Sequence, residues 1–416
     1  MRTACVALVL LAAQVSYAAE PENWFQFRGP RGDGHAHANG PLPEAFGHEQ
    51  NVKWKTPIHG KGWSSPVTWG KQIWMTTAKP DGKELFAVCV DLESGKILHD
   101  IKLFDIEKPQ FCHDFNSYAS PTPILEEGRV YVTFGSPGTA CVDTATGKTL
   151  WSRTDFVCDH HRGAGSSPVI VGDLFILNFD GFDHQFVVAL DKNTGKTVWR
   201  KERSIEYGTD DGDRKKAYGT PAVLEIGGKQ QVISPSAGGT IAYEALTGDE
   251  VWNVKHGGMN AAARPLFGQG HLYITTGDGG KFKLFTVRPD GKGNVTDTHI
   301  DWSFNKQGVP TRCGMLLIDD SLYMMNEAGI LTCLDAKTGE QTWQKRLGGN
   351  YSSSPVLADG KIYFFSQDGA CPVVVPGSEF KQVGDNKLPD GCMASPAVVG
   401  KSLLVRTKTN LYRIEK

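Results

Sequence analysis

One phrase recurs along this chain. It reads CVDTATGKTLWSR at 141–153, ALDKNTGKTVWRK at 189–201 and CLDAKTGEQTWQK at 333–345. A repeat of this kind constrains the fold more than any other feature, because a single unit cannot bury its own apolar face and must stack on its neighbours. A second element precedes each copy: a small residue, a proline and an apolar run. Its instances are SSPVTW at Pro66, ASPTPI at Pro121, SSPVIV at Pro168, GTPAVL at Pro221, ARPLFG at Pro265, SSPVLA at Pro355 and ASPAVV at Pro396. A degraded copy lies in RCGMLLIDDSLYMM, where Gly314 stands in the proline place. Successive anchors are 41 to 55 residues apart. That suits four-stranded propeller blades of about 40–45 residues carrying loop insertions.

One unit can be parsed completely. The spacing predicts a strand over 120–125, a Glu-Glu-Gly turn, an alternating strand over 129–134, a Ser-Pro-Gly turn, a third strand over 139–143 and a fourth over 148–153. Four short antiparallel strands make one blade. Eight anchors therefore predict an all-β, eight-bladed propeller over residues 51–416. After Pro396 only three strands remain, so NVKWKTPI (51–58) is expected to supply the fourth and close the last blade. Trp54 there takes the place held by Trp151, Trp199, Trp252, Trp302 and Trp343 in other units; blade 1 has His99 instead. These tryptophans are read as plates that dock one blade on the next. The Asp and Thr of D-x-x-T-G fix a tight turn through side-chain bonds.

The first residues carry a different signal. Arg2, an apolar run from Ala4 to Ala13 and small residues at Ser16 and Ala18 predict a secretory leader over 1–18, followed by an N-terminal extension over 19–50. An exported, periplasmic or extracellular protein without a transmembrane segment is the expectation. A net charge of −2 with no basic run argues against a nucleic-acid partner. Cys89, Cys141 and Cys333 hold one repeat position and are read as buried thiols. Cys112 and Cys158 sit in neighbouring loops and are the candidates for a disulfide.

The phrase A/C-x-D-x-x-T-G-K/E-x-x-W resembles the tryptophan-docking repeat of pyrroloquinoline-quinone-like propellers, a superfamily that includes quinoprotein alcohol dehydrogenases and an outer-membrane protein assembly factor. WFQFRGPRGDG (24–34) and CDHHRGAGSSP (158–168) are further similar to an exported bacterial group of quinone-binding-like propellers. The resemblance covers about residues 51–416 and implies the fold. It would also imply pyrroloquinoline quinone with Ca²⁺. However, the chain has no adjacent cysteine pair and no C-x-x-C-H haem site, so no cofactor is assigned and no metal ligands are named.

The residues just before each anchor should ring one channel mouth. Three positions ahead of the anchors stand Trp63, Tyr118, Gly165, Tyr218, Ala262, Thr311, Ser352 and Met393. The candidate ligand-binding set is Trp63, His113, Asp114, Asn116, Tyr118, His160, His161, Arg162, Tyr218, Arg264, Asn350 and Tyr351. Aromatic, amide and guanidinium groups in this mixture suit a planar polar or glycan-like ligand. No catalytic residue is assigned, since the nucleophile-elbow, zincin, phosphate-loop and dinucleotide motifs are all missing. The favoured reading is a monomeric, non-catalytic binding or scaffold module of the periplasm or cell envelope, serving a protein partner or a small polar or glycan ligand. The alternative is a quinone- or metal-dependent oxidoreductase, or a sugar-processing enzyme, using the same mouth.

Overall fold

The computed structural model describes residues 22–38, 40–281 and 283–416. The expected leader over 1–18 lies outside the described residues. Eight blade sheets surround one axis, and the four blade strands of each run antiparallel from a short innermost strand to an exposed outer one; the blade 4 sheet adds a fifth strand, Gly293–Asn294, in parallel pairing. Blade 1 comprises Val67–Trp69, Gln72–Ala78, Glu84–Asp91 and Ile97–Asp105. Blade 2 runs from Ile124–Glu126 to Thr149–Arg153, blade 3 from Val169–Val171 to Thr197–Glu202 and blade 4 from Ala222–Ile226 to Glu250–Lys255. Blade 5 runs from Leu266–Gly268 to Ser303–Phe304, blade 6 from Leu316–Ile318 to Gln341–Arg346 and blade 7 from Val356–Ala358 to Lys381–Lys387. Blade 8 takes Ala397–Val399, Ser402–Arg406 and Asn410–Glu415 from the end of the chain. Its outermost strand, Val52–Pro57, comes from the beginning. The eight-bladed ring closed by an N-terminal strand is thus as expected.

Two anchors need correction. In blade 2 the innermost strand starts at Ile124, so Pro123 and not Pro121 matches Pro66. In blade 6 it starts at Leu316, so Met315, and not Gly314, takes the proline place. The sequence ASPTPI offers two prolines, and RCGMLL offers none, which left the register open by two residues and by one.

The repeated phrase locks neighbouring blades. In its turn, Asp143 Oδ1 accepts from the backbone N–H of Thr146 at 2.7 Å and from its hydroxyl at 2.8 Å. The Trp151 ring lies on Gly195 of the next blade, and its Nε1 donates to the Lys192 carbonyl at 2.8 Å. Trp54 repeats this on Gly95 and the Leu92 carbonyl, Trp199 on Gly248 and the Ala245 carbonyl. A Cβ on Gly195 would come within 2.7 Å of the indole, so the turn glycine is required by the ring as well as by its positive φ.

The N-terminal extension is part of the fold. Trp24 exchanges bonds with Thr68 of blade 1, and the Phe25 carbonyl accepts from Leu125 of blade 2. The chain then crosses beneath the axis. Arg264 of blade 5 donates to the Phe27 carbonyl at 3.0 Å, and Arg28 donates to the Met315 carbonyl of blade 6 at 2.5 Å. Gly34 and Ala36 bond Leu357 of blade 7, and the Phe46 N–H donates to Asn386 Oδ1 at that blade's outer strand. Trp24, Leu42 and Phe46 are buried in the cluster that joins blades 7, 8 and 1. The crossing segment therefore plugs one end of the channel.

Candidate functional site

The loops that enter the innermost strands surround the open end of the channel, and a cavity of about 440 Å³ lies between them and the plug. Once blades 2 and 6 are placed in register, the positions three ahead of the anchors become Trp63, Ser120, Gly165, Tyr218, Ala262, Arg312, Ser352 and Met393. All eight line this cavity. Phe27 of the plug forms part of its lining as well.

One wall is aromatic. Trp63 Nε1 donates to the Phe115 carbonyl at 3.0 Å, and Lys61 Nζ lies 5.4 Å from the Trp63 ring. The Arg312 guanidinium stacks on Phe115 at 4.4 Å, so a loop of blade 2 meets a loop of blade 6 across the mouth. Glu327 Oε1 fixes Arg312 by accepting from the backbone N–H groups of Thr311 at 2.7 Å and Arg312 at 2.8 Å. Arg162 stands 3.6 Å from Asp213, which is also held by buried Lys216. Asn116 spends its amide on structure: Nδ2 donates to the Arg162 carbonyl at 2.9 Å, and Oδ1 accepts from Ser120 at 2.6 Å. Tyr218 is largely buried, which pushes its phenol up. Asp278, bonded to Asn260 at 3.2 Å, is the lone acidic side chain in the lining.

Of the residues expected from sequence, Trp63, His113, Asn116, Arg162 and Tyr218 line the cavity. The others do not. Tyr118 packs over Gly82 and donates to the Gln110 carbonyl, a result of the two-residue slip in blade 2. Tyr351 is buried in the core between blades 6 and 7. Asn350 bonds Asp368 on the exposed surface. Asp114 turns outward, with only its carbonyl engaged by Lys61. His160 is buried beneath the mouth, where its Nε2 accepts from the Ser136 N–H at 2.9 Å; burial lowers its pKa to about 4. His161 stacks on Phe182 at the surface. Arg264 points to the plug rather than to the mouth.

Cys112 and Cys158, candidates for a disulfide, are not joined, and all eight cysteines of the described residues are free. Cys112 faces Gly163 and the Arg162 carbonyl, whereas Cys158 is buried beside His160 and the His184 carbonyl. Burial pushes the Cys112 thiol up to about 11, so it is a poor nucleophile.

Sequence reasoning missed the cavity floor. The residue just before each anchor is Ser65, Thr122, Ser167, Thr220, Arg264, Gly314, Ser354 and Ser395 in blades 1 to 8. The six hydroxyls among these all line the cavity. They join blade to blade. The Ser65 N–H donates to Thr122, Thr122 to Ser167 and Ser167 to Thr220, at 2.9–3.0 Å. Gly314 donates to Ser354, Ser354 to Ser395 and Ser395 to Ser65, at 2.8–3.1 Å. The signal was present as the small residue before each proline. The two departures, Arg264 and Gly314, fall where the plug crosses. A Cβ on Gly314 would collide with the Arg28 guanidinium, and one on Gly32 with that of Arg264.

Comparison with known proteins follows this architecture. The profile of the family described as outer membrane protein assembly factor BamB matches residues 51–214 and 183–416. A protein of that name from Legionella pneumophila (strain Paris) is 24% identical over 206 residues, covering 50% of this chain and 49% of the relative. Quinoprotein ethanol dehydrogenase from Pseudomonas aeruginosa is 32% identical over 142 residues, covering 31% of this chain and 22% of the enzyme. The chain thus spans about half, or less, of these curated relatives. Among solved structures, BamB from Moraxella catarrhalis aligns with a TM-score of 0.61 at 14% identity, covering 87% of this chain and 99% of that one. A europium-containing methanol dehydrogenase aligns with a TM-score of 0.66 at 14% identity, covering 94% and 89%. These likenesses show a shared fold.

Proposed function

The chain belongs to the family described as outer membrane protein assembly factor BamB, and on that premise we propose that it is a non-catalytic binding module of the cell envelope. The observation that carries this reading is the plugged channel. Because residues 24–34 close one end, the axis is a blind cavity with an aromatic and guanidinium wall and a floor of hydroxyls. Such a lining holds a ligand by stacking and hydrogen bonds. It is poorly suited to a Ca²⁺-bound quinone, because Ca²⁺ takes six to eight oxygen ligands with several carboxylates, and Asp278 is the lone acidic lining side chain. Among the described residues no cluster of three His, Cys, Asp or Glu side chains could hold a metal. The envelope location draws on the leader expected from the sequence and on the names of the relatives. Among the described residues no helix is long and apolar enough to cross a membrane.

The test is direct. Purified chain is mixed with pyrroloquinoline quinone and Ca²⁺ and assayed for alcohol-dependent reduction of an artificial dye. The expected outcome is no turnover and no quinone-dependent rise in melting temperature. Sustained turnover that is lost in Asp278→Asn would establish the dehydrogenase reading instead, which the identity to the ethanol dehydrogenase makes the natural rival.

A further inference from the structure

The six floor hydroxyls share an unusual hydrogen-bond state. Ser65, Thr122, Ser167, Thr220, Ser354 and Ser395 each accept a backbone N–H from the adjoining blade. Each is at least nine-tenths buried. A hydroxyl has one proton to donate as well as lone pairs to fill. Among the described residues, none of the six donates to a protein acceptor, although neighbouring Ser64 and Ser120 do. The floor therefore presents free O–H donors from six blades, each oxygen having already accepted one N–H from the frame. What such a ring lacks is an acceptor.

Guanidinium groups crowd the ring from both sides. Arg28 and Arg264 lie beneath it, both buried, and neither has a carboxylate within ion-pair distance among the described residues. Each donates to main-chain carbonyls only. Burial depresses both pKa values to about 10, helped for Arg264 by the nearby charge of Arg28, which leaves them charged at neutral pH. Arg406 is buried at blade 8 in the same state, held by Ser64 and the Thr76 carbonyl. Above the ring stand Arg162, 3.6 Å from Asp213, and Arg312, 3.8 Å from Glu327. Asp278, bonded to Asn260, is a further carboxylate at the rim. Asp33 offsets part of the charge of Arg28 and Arg264, but no carboxylate among the described residues pairs directly with the three buried guanidiniums, and such cations favour an anion nearby.

We propose that the floor of the cavity is an oxyanion site: a ligand carrying a carboxylate, sulfate or phosphate group seats that group on the hydroxyl ring, with its body against Trp63, Phe115 and Tyr218. This rests on the binding-module reading and gives it a ligand class. Apolar contact supplies area, while the hydroxyls and the positive surroundings select the charged head over a neutral one. Because the donors come from different blades, ligand binding also bridges blades and stabilises the ring.

The probes are inorganic selenate, glucuronate, glucose 6-phosphate and uncharged glucose, with a chain that keeps all the described residues. Calorimetric titration is expected to show at least one charged sugar binding tenfold or more tightly than glucose, with affinity falling as salt rises. The carboxylate and phosphate arms identify which oxyanion is preferred. A selenate soak is expected to give an anomalous peak within hydrogen-bond reach of the ring. Ala262→Asp, which adds a carboxylate to the lining, is expected to weaken charged-sugar binding at least tenfold while leaving the melting temperature of the free protein within a few degrees. Arg312→Gln at the rim, which disturbs no floor bond, is expected to weaken it severalfold. If glucose binds as well as the charged sugars and Ala262→Asp changes nothing, the oxyanion inference fails while the binding module stands. Failure of all charged probes, with no selenate peak, also overturns it. The binding-module reading falls separately, on quinone turnover.

Discussion

At the scale of single residues, the pairing of Gly314 with Arg28 links the plug to the ring. Every other blade has a hydroxyl or Arg264 at this position, and blade 6 has no side chain there at all. Gly314→Ser would restore the repeat's own choice, yet it is expected to destabilise the protein by about 1–3 kcal/mol, the usual cost of overpacking. The guanidinium of Arg28 would have to move. In an Arg28→Ala background the same substitution is expected to cost much less, and urea denaturation of the four proteins gives the coupling directly. Buried histidines set a pH response. His160 accepts from the Ser136 N–H, and His256 lies within hydrogen-bond reach of the Thr240 hydroxyl; burial lowers both from 6.5 to about 4. The unfolded chain therefore binds protons that the folded one refuses between pH 6.5 and 4. Their contribution is fully present above pH 6.5 and is lost as pH falls towards 4, about 3 kcal/mol for each at completion. Urea midpoints measured from pH 7.5 to 4 are expected to fall accordingly, and less steeply in His160→Gln.

The blade is the element that the sequence described best. Its third turn is written out in D-x-x-T-G, whose aspartates accept local bonds that hold their carboxyls below the usual carboxylate range. Its docking residue is written out as tryptophan. Trp151→Ala removes an indole that touches the next blade's turn and donates to Lys192. A loss of about 3–5 kcal/mol is expected, as for other large aromatic deletions, and chemical denaturation at pH 7 would measure it. Register was less legible. Proline marks the start of an innermost strand only when one proline is present, so Pro121 and Pro123 competed in blade 2 and Met315 gave no mark in blade 6. That slip put Tyr118 in the candidate site where Ser120 belongs. Tyr351 and Asn350 failed for another reason: loop residues next to an anchor point to either side, and composition does not say which.

For the whole molecule, eightfold closure was legible because the last blade was one strand short and the first strand had no blade of its own. The plug was not. Residues 24–36 have no periodicity, and their partners, Thr68, Leu125, Arg264, Met315 and Leu357, are scattered over five blades. Long-range contacts of this kind leave no local trace in a sequence. Closure itself has a kinetic consequence. Val52–Pro57 pairs with Asn410–Glu415, so the first strand synthesised waits for the last before its edge is covered. Joining the ends of so long a loop comes late in folding and slowly. Until then two bare edges, one at each end of the chain, are open to pairing with another copy. A nascent or truncated chain is the vulnerable species, and its hazard is swapping and aggregation rather than simple loss of stability.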